Sequence, residues 1–242
     1  MNESSLYKEV AARYGLEPVP ESVARLTQLV SQQDADLEKI AKVIEQDSAL
    51  KARLLRAANP RADDETDYGI TTVEEALMRN GIGCVLLLAM GAPLSHALTK
   101  TFQTMLAFKL DTVNPRTTKP LVGEHVLGTI DFSGRATGHV NLRLGRDGAR
   151  DFAAGILGLK SEDLKDTAEV DDVIGELLNI IAGNLKSNLC DSGLNCTLSP
   201  PRVQRTSEFK TQSAPGAGVE RMAFSASNVP LFVDITVNPW ND

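Results

Sequence analysis

The apolar residues change their spacing once along the chain, near residue 105, and this change constrains the fold more than any other feature of the sequence. Before it they recur at helical intervals. Pro18 and Pro20 end a first short helix and open a second that carries Val23, Leu26 and Val30. Asp36 is placed to cap a third helix, with Leu37, Ile40, Ala41 and Ile44 on one face, and Ser48 a fourth with Leu50, Leu54 and Ala58. Asn59-Pro60 and the polar run 61–68 then break the pattern. Thr72 and Glu75 form a capping box for the next helix, and Gly81-Ile82-Gly83 punctuates it before the apolar stretch 84–94. Beyond the change the apolar residues alternate. Val126, Ile130 and Phe132, then Val140, Leu142 and Leu144, read as two strands joined through Ser133-Gly134 and Gly138. Helices are expected at 147–159 and 171–189, and strands near 195–199, 202–209, 219–225 and 230–237. The Gly-rich segment 213–218 precedes no helix, so it reads as a hairpin tip and not as a phosphate cradle. The expected fold is α+β: a helical bundle segment over 1–103, then a domain over 104–242 with a largely antiparallel sheet and one long helix.

Composition narrows the function mainly by exclusion. The 242 residues carry 25 Lys+Arg against 32 Asp+Glu, a net charge of −7, where a nucleic-acid binder needs a basic face. No apolar run approaches the length of a membrane span. The polar start MNESSLYKEV lacks the pattern of a secretory signal, so a cytoplasmic location is expected. Cys84, Cys190 and Cys196 are odd in number and form no CxxC pair, which argues against a disulfide framework. His96, His125 and His139 show no ligand spacing to them, so no metal or cofactor of the chain's own is expected. HExxH, GxxxxGK[ST] and GxSxG are absent.

The informative segment is the helix over 171–189. Ile174, Leu177, Leu178, Ile181 and Leu185 fall on one face, which must pack on the sheet. Asp172, Glu176, Asn179 and Gly183 fall within roughly 60° of one another on the other. An amphipathic helix always has a polar face, so the stripe alone decides little. Its composition is less ordinary, because Asn179, Gly175 and Gly183 each weaken a helix interior by up to about 1 kcal/mol.

The run from Asp172 through Glu176, Asn179 and Gly183 to Asn184 resembles the signature helix of the CheC/CheX/FliY response-regulator phosphatases. Two flanking stretches share the resemblance: Ile130-Asp-Phe-Ser-Gly134-Arg-Ala-Thr-Gly138 as the earlier hairpin, and Leu198-Ser-Pro-Pro201-Arg-Val as the strand after the helix. Pro200 and Pro201 sit close to where that strand expects a proline. The resemblance covers residues 104–242 and is nearest to CheX. It implies hydrolysis of the phosphoaspartate of a CheY-like receiver domain, with Glu176 and Asn179 as catalytic positions and Asp172, Gly183 and Pro201 as supporting ones. The receiver would supply Mg2+ and a lysine, and the missing part is an oriented water. Asn179 suits that role because a neutral carboxamide brings no negative charge towards the phosphoryl oxygens. Glu176 would pair with the receiver's lysine. For Asp172, stabilisation of the helix N-terminus is an equally good account. A homodimer is also implied. The alternative is a non-catalytic adaptor on the same fold, binding a receiver or a flagellar-motor partner.

The N-terminal part resembles the first half of an HDOD domain over 17–26, 44–59 and 72–77. Arg79-Asn80-Gly81 departs from the Leu-Gly usual there, and the second helical half is missing. No His-Asp dipeptide occurs in the chain, so this part is expected to serve as a docking or dimerisation platform rather than to hydrolyse anything.

Overall fold

The computed structural model describes residues 21–30, 36–59, 69–105, 109–115, 117–164, 167–191, 194–209, 217–226 and 228–238. The expected first helix, the polar break at 61–68 and most of the loop 213–218 lie outside these residues.

Among the described residues, four helices come first: α1 (Glu21–Val30), α2 (Leu37–Gln46), α3 (Ser48–Ala58) and α4 (Val73–Met105). Asp36 caps α2 as expected, its carboxylate accepting from the amides of Glu38 and Lys39. The cap of α3 differs from the expectation at Ser48. Asp47 does the work, accepting from the Leu50 amide at 2.9 Å, while Ser48 is already helical. One residue thus closes α2 and opens α3. Its carboxylate also accepts from the Ser22 hydroxyl, and these hydrogen bonds, Ser22 first, hold its pKa below the ordinary carboxylate value. Thr72 accepts from the Glu75 amide at 3.3 Å, one half of the expected capping box. Gly81 breaks α4 with φ 74° and ψ 164°, a conformation closed to residues with a Cβ. Past this kink, residues 84–89 are buried between the helices and the sheet.

The remaining elements are β1 (Asp111–Val113), β2 (His125–Gly134), β3 (Gly138–Gly145), α5 (Arg146–Leu157), α6 (Thr167–Asp191), β4 (Cys196–Leu198), β5 (Arg202–Thr206), β6 (Gly218–Ala226) and β7 (Val229–Val237). All pairings are antiparallel, in the order β1-β6-β7-β3-β2-β4, with β5 also on β2. The α+β class and the β2–β3 hairpin match the expectation. Two details do not. The sequence gives no sign of β1, three residues that become a strand because β6 offers them an edge. Also, α6 begins at Thr167, four residues before its expected start.

The far half of α4, with α5 and α6, covers one face of the sheet. Val126, Ile130, Val140, Leu142, Leu144, Leu231, Val233 and Ile235 pair across the strands on that face, each 1% exposed or less. Gly128 lets α6 come close: a Cβ there would stand 3.3 Å from side-chain carbons of both Ile174 and Leu178. The helical segment is fastened to the sheet edge by Arg53 of α3, which donates to Glu220 of β6 at 2.7 Å. Burial raises the Glu220 pKa, and Arg53 opposes that rise.

Candidate functional site

Helix α6 is placed by its apolar face. Ile174, Leu177, Leu178, Ile181 and Leu185 are all 2% exposed or less, against β2, β3, β4 and β5. The opposite stripe falls where the sequence puts it. Asp172, Glu176 and Asn179 are exposed and Gly183 is half-exposed. Glu176 and Asn179 lie one turn apart, about 4.5 Å along the axis. Asn184, the last residue of the resembling run, turns away from the stripe and donates to the Ile180 carbonyl at 2.9 Å.

A residue that the sequence did not single out fixes the start of this helix. Arg205 of β5 grips Asp171 with two bonds of 2.9 Å and reaches the Thr167 carbonyl at 3.3 Å. This fork geometry is the strong form of an ion pair. The Asp171 carboxylate raises the Arg205 pKa, the hydrogen bond being the largest cause. Asp171 therefore holds the helix on the sheet, while its neighbour Asp172 stays exposed. The partners are 34 positions apart, so no local pattern could have revealed them.

Pro201 stands at a corner beside the helix. Strands β4 and β5 both pair with β2, but Leu198 faces Phe132 and Arg202 faces Thr129. Three residues, Ser199, Pro200 and Pro201, therefore oppose the two residues Ile130 and Asp131, which makes a bulge. Asp131 bolts it down. Its carbonyl accepts from the Ser199 amide at 2.9 Å, its amide donates to the Ser199 hydroxyl at 3.0 Å, and its carboxylate pairs with Arg202 at 2.8 Å. The bulge turns Pro201 onto α6, where a Cβ on Gly175 would lie 3.6 Å from the Pro201 ring. Gly175 thus sits under the proline, in contact that an alanine would also tolerate.

Gly183 is different, because among the described residues nothing stands within 4 Å of where its Cβ would be. No packing among the described residues requires a glycine there. Gly183→Ala is expected to stabilise the protein by up to about 1 kcal/mol, through helix propensity alone. A thermal melt checks it, and an unchanged or lowered midpoint would contradict the open space.

A cavity of about 330 Å³ lies beside the start of α6, between Val126, Arg146, Arg150, Glu162, Thr167 and Arg205. Glu176 and Asn179 do not line it, and each of its arginines already faces a carboxylate. The stripe on α6 is instead an open surface, suited to a macromolecular partner rather than to a small molecule held in a pocket. Among the described residues, no group of three or more His, Cys, Asp or Glu could hold a metal ion. No helix among them is long and apolar enough to cross a membrane.

Comparison with known proteins bears on the fold. Residues 126–224 match the family model for the chemotaxis phosphatase CheX, and residues 16–113 match the model for the HDOD domain. A CheC-like superfamily protein from Shewanella sp. PV-4 is 22% identical with a TM-score of 0.51, over 62% of this chain and 97% of that one. A chain of the CheX-CheY-BeF3-Mg+2 complex from Borrelia burgdorferi is also 22% identical with a TM-score of 0.50, over 61% of this chain and 96% of that one. At such identity the likeness is one of fold. No curated protein matches the chain. The chain therefore joins an HDOD-like helical segment to a CheX-like domain.

Proposed function

We propose that the protein dephosphorylates the phosphoaspartate of a CheY-like receiver domain, with Asn179 orienting the attacking water and Glu176 setting the docking register. The observation that carries this reading is the pairing of exposed Glu176 and Asn179 one turn apart, on a helix whose opposite face is buried in the sheet. Both lie within the residues that match the CheX model. That a chain of similar fold was solved in complex with CheY supports a receiver as the partner.

The chemistry asks little of this chain beyond position. The water's oxygen bonds to phosphorus as the receiver's carboxylate leaves, so in-line placement is the main requirement. Asn179 can hold that water by its carboxamide and adds no charge beside the phosphoryl oxygens. Mg2+, in this reading, comes with the receiver. Two contacts hold the helix that carries the carboxamide: the Asp171–Arg205 fork at its start and the Pro201 corner on its flank. The reading includes pairing of two copies, and light scattering that finds a monomer at micromolar concentration would remove that part.

The test is to incubate the purified protein with phosphorylated receivers from the same cell and follow the loss of phosphate. Unchanged lifetimes for every receiver would sink the proposal. Tight binding without phosphate loss would make the protein an adaptor instead. Glu176→Ala is expected to weaken the interaction about tenfold, the loss of one charge-assisted contact at a partly wet interface. The loss should appear as a raised KM with kcat much less affected.

A further inference from the structure

The polar stripe of α6 does not end at Gly183. Lys186 follows Asn179 by two turns, about 10 Å along the axis and about 20° away in projection. It is half-exposed, so the stripe runs on past Asp172, Glu176, Asn179 and Gly183. Two ordinary accounts of a helical lysine do not apply to it. No acidic residue stands three or four positions away on either side, so no ion pair within the helix is available. Nor is Lys186 in the last turn, where a cation would offset the helix dipole. Among the described residues it forms no ion pair.

Gly183 lies between Asn179 and Lys186 on this stripe, and the chain itself gives no more reason for it. A glycine weakens the helix, yet among the described residues nothing fills the space where its Cβ would stand. What a bare glycine does provide is room for another surface to come close to the helix backbone. Helix geometry directs side chains back towards the N-terminus, so the stem of Lys186 is directed towards this gap. The charges along the stripe are also ordered. Asp172 and Glu176 make one end negative, Lys186 makes the other positive, and Asn179 and Gly183 between them are neutral.

We propose that the receiver domain seats its surface on bare Gly183, where Lys186 pairs with a carboxylate at the rim of the receiver's phosphorylation site, and that this half of the stripe selects among receivers. The docking presupposes the proposed function, in which the stripe faces a phosphorylated receiver.

Charge supports that occupant. A site that holds Mg2+ against a phosphoryl group does so with carboxylates, so the face turned towards the stripe is acidic. Glu176 suits that face only where it offers a lysine. Lys186 supplies the cation for the rest. The two opposite charges stand about 15 Å apart along the axis, so they favour one direction of docking and penalise the reverse. A receiver with a basic residue opposite Lys186 is discriminated against by repulsion rather than by poor fit.

The test measures binding and hydrolysis separately. The full-length protein and its variants are titrated with receivers from the same cell, each activated with beryllofluoride and Mg2+, and loss of phosphate from the phosphorylated receivers is followed in parallel. Lys186→Glu should raise the Kd of the preferred receiver about tenfold at low salt, and the difference should shrink as salt is added. Its kcat and melting midpoint should match the wild type, because the lysine holds neither the water nor a place in the core. Gly183→Ala should weaken binding at least about fivefold by crowding a close contact, while its melting midpoint rises. A glycine with a purely structural role cannot give that pair of results. Lys186→Glu binding indistinguishable from wild type overturns the ion pair, and Gly183→Ala binding indistinguishable from wild type overturns the close approach. If either occurs while the wild type still removes phosphate, the proposed function stands without this docking. If the wild type neither binds nor dephosphorylates any receiver, both fall together.

Discussion

Asn179→Ala is expected to lower receiver dephosphorylation by at least about a hundredfold while leaving the fold intact, because misplacing the attacking group costs that much even when the partner still binds. The two readouts separate because Asn179 is exposed and alanine is the better helix former, so the melting midpoint should hold or rise slightly. Asn179→Asp sharpens the test. It keeps the shape and one hydrogen-bonding oxygen but points a negative charge at the phosphoryl group. If Asn179 acts by neutral positioning, the aspartate variant stays close to alanine in rate. If it merely contributes bulk, both variants keep most of the activity. A kcat retained within twofold in the alanine variant would falsify the role given to this residue. Glu176→Ala belongs beside it as a contrast, since its loss should fall on KM rather than on kcat.

What the sequence disclosed about this site follows from what is local. The buried face of α6 was legible because five apolar side chains repeat at helical spacing, and one helix suffices to read them. The polar stripe was legible for the same reason. The start of the helix was not: Thr167–Val170 carries no clear cap signal, and the Asp171–Arg205 fork that holds this end joins two elements far apart in sequence. Asp47 and Ser48 show a narrower failure. Both are good capping residues, and the choice between them depends on where α2 ends. Composition flagged Gly175 and Gly183 together, yet their surroundings differ. Gly175 lies under Pro201, and Gly183 faces open space. Alternation located β2 and β3 but carries no sign that their second face is also covered. In fact Leu127, Asn141, Arg143 and Phe232 on that face are all under 9% exposed. The one local hint was Asp234, a charge inside the apolar run from Leu231 to Val237.

Asp234→Ala is expected to be the most damaging single substitution to stability, costing about 3–5 kcal/mol. Asp234 is fully buried on β7 and accepts from two arginines: Arg143 on β3, with bonds of 3.1 and 2.9 Å, and Arg221 on β6. They would respond differently to its loss. The Arg221 side chain is 43% exposed and can turn to water. The Arg143 side chain is only 10% exposed, and its guanidinium lies 4.0 Å from the Phe209 ring centroid. Burial already lowers its pKa, and the Asp234 charge is the main opposing influence. Without that carboxylate a buried cation has no counter-charge, which costs far more than the intact pair contributes. The double variant Arg143→Met with Asp234→Leu should therefore regain much of the loss, because it removes both charges and keeps the volume. Urea denaturation checks both statements. A single variant that moves the midpoint no more than a surface change, about 0.5 kcal/mol, would contradict the first. A double variant no more stable than the single would contradict the second. The cluster lies on the sheet face opposite α6, so any dephosphorylation the wild type shows should be retained by whatever fraction of Asp234→Ala remains folded. In that respect it is the converse of Asn179→Ala, where folding survives and catalysis does not.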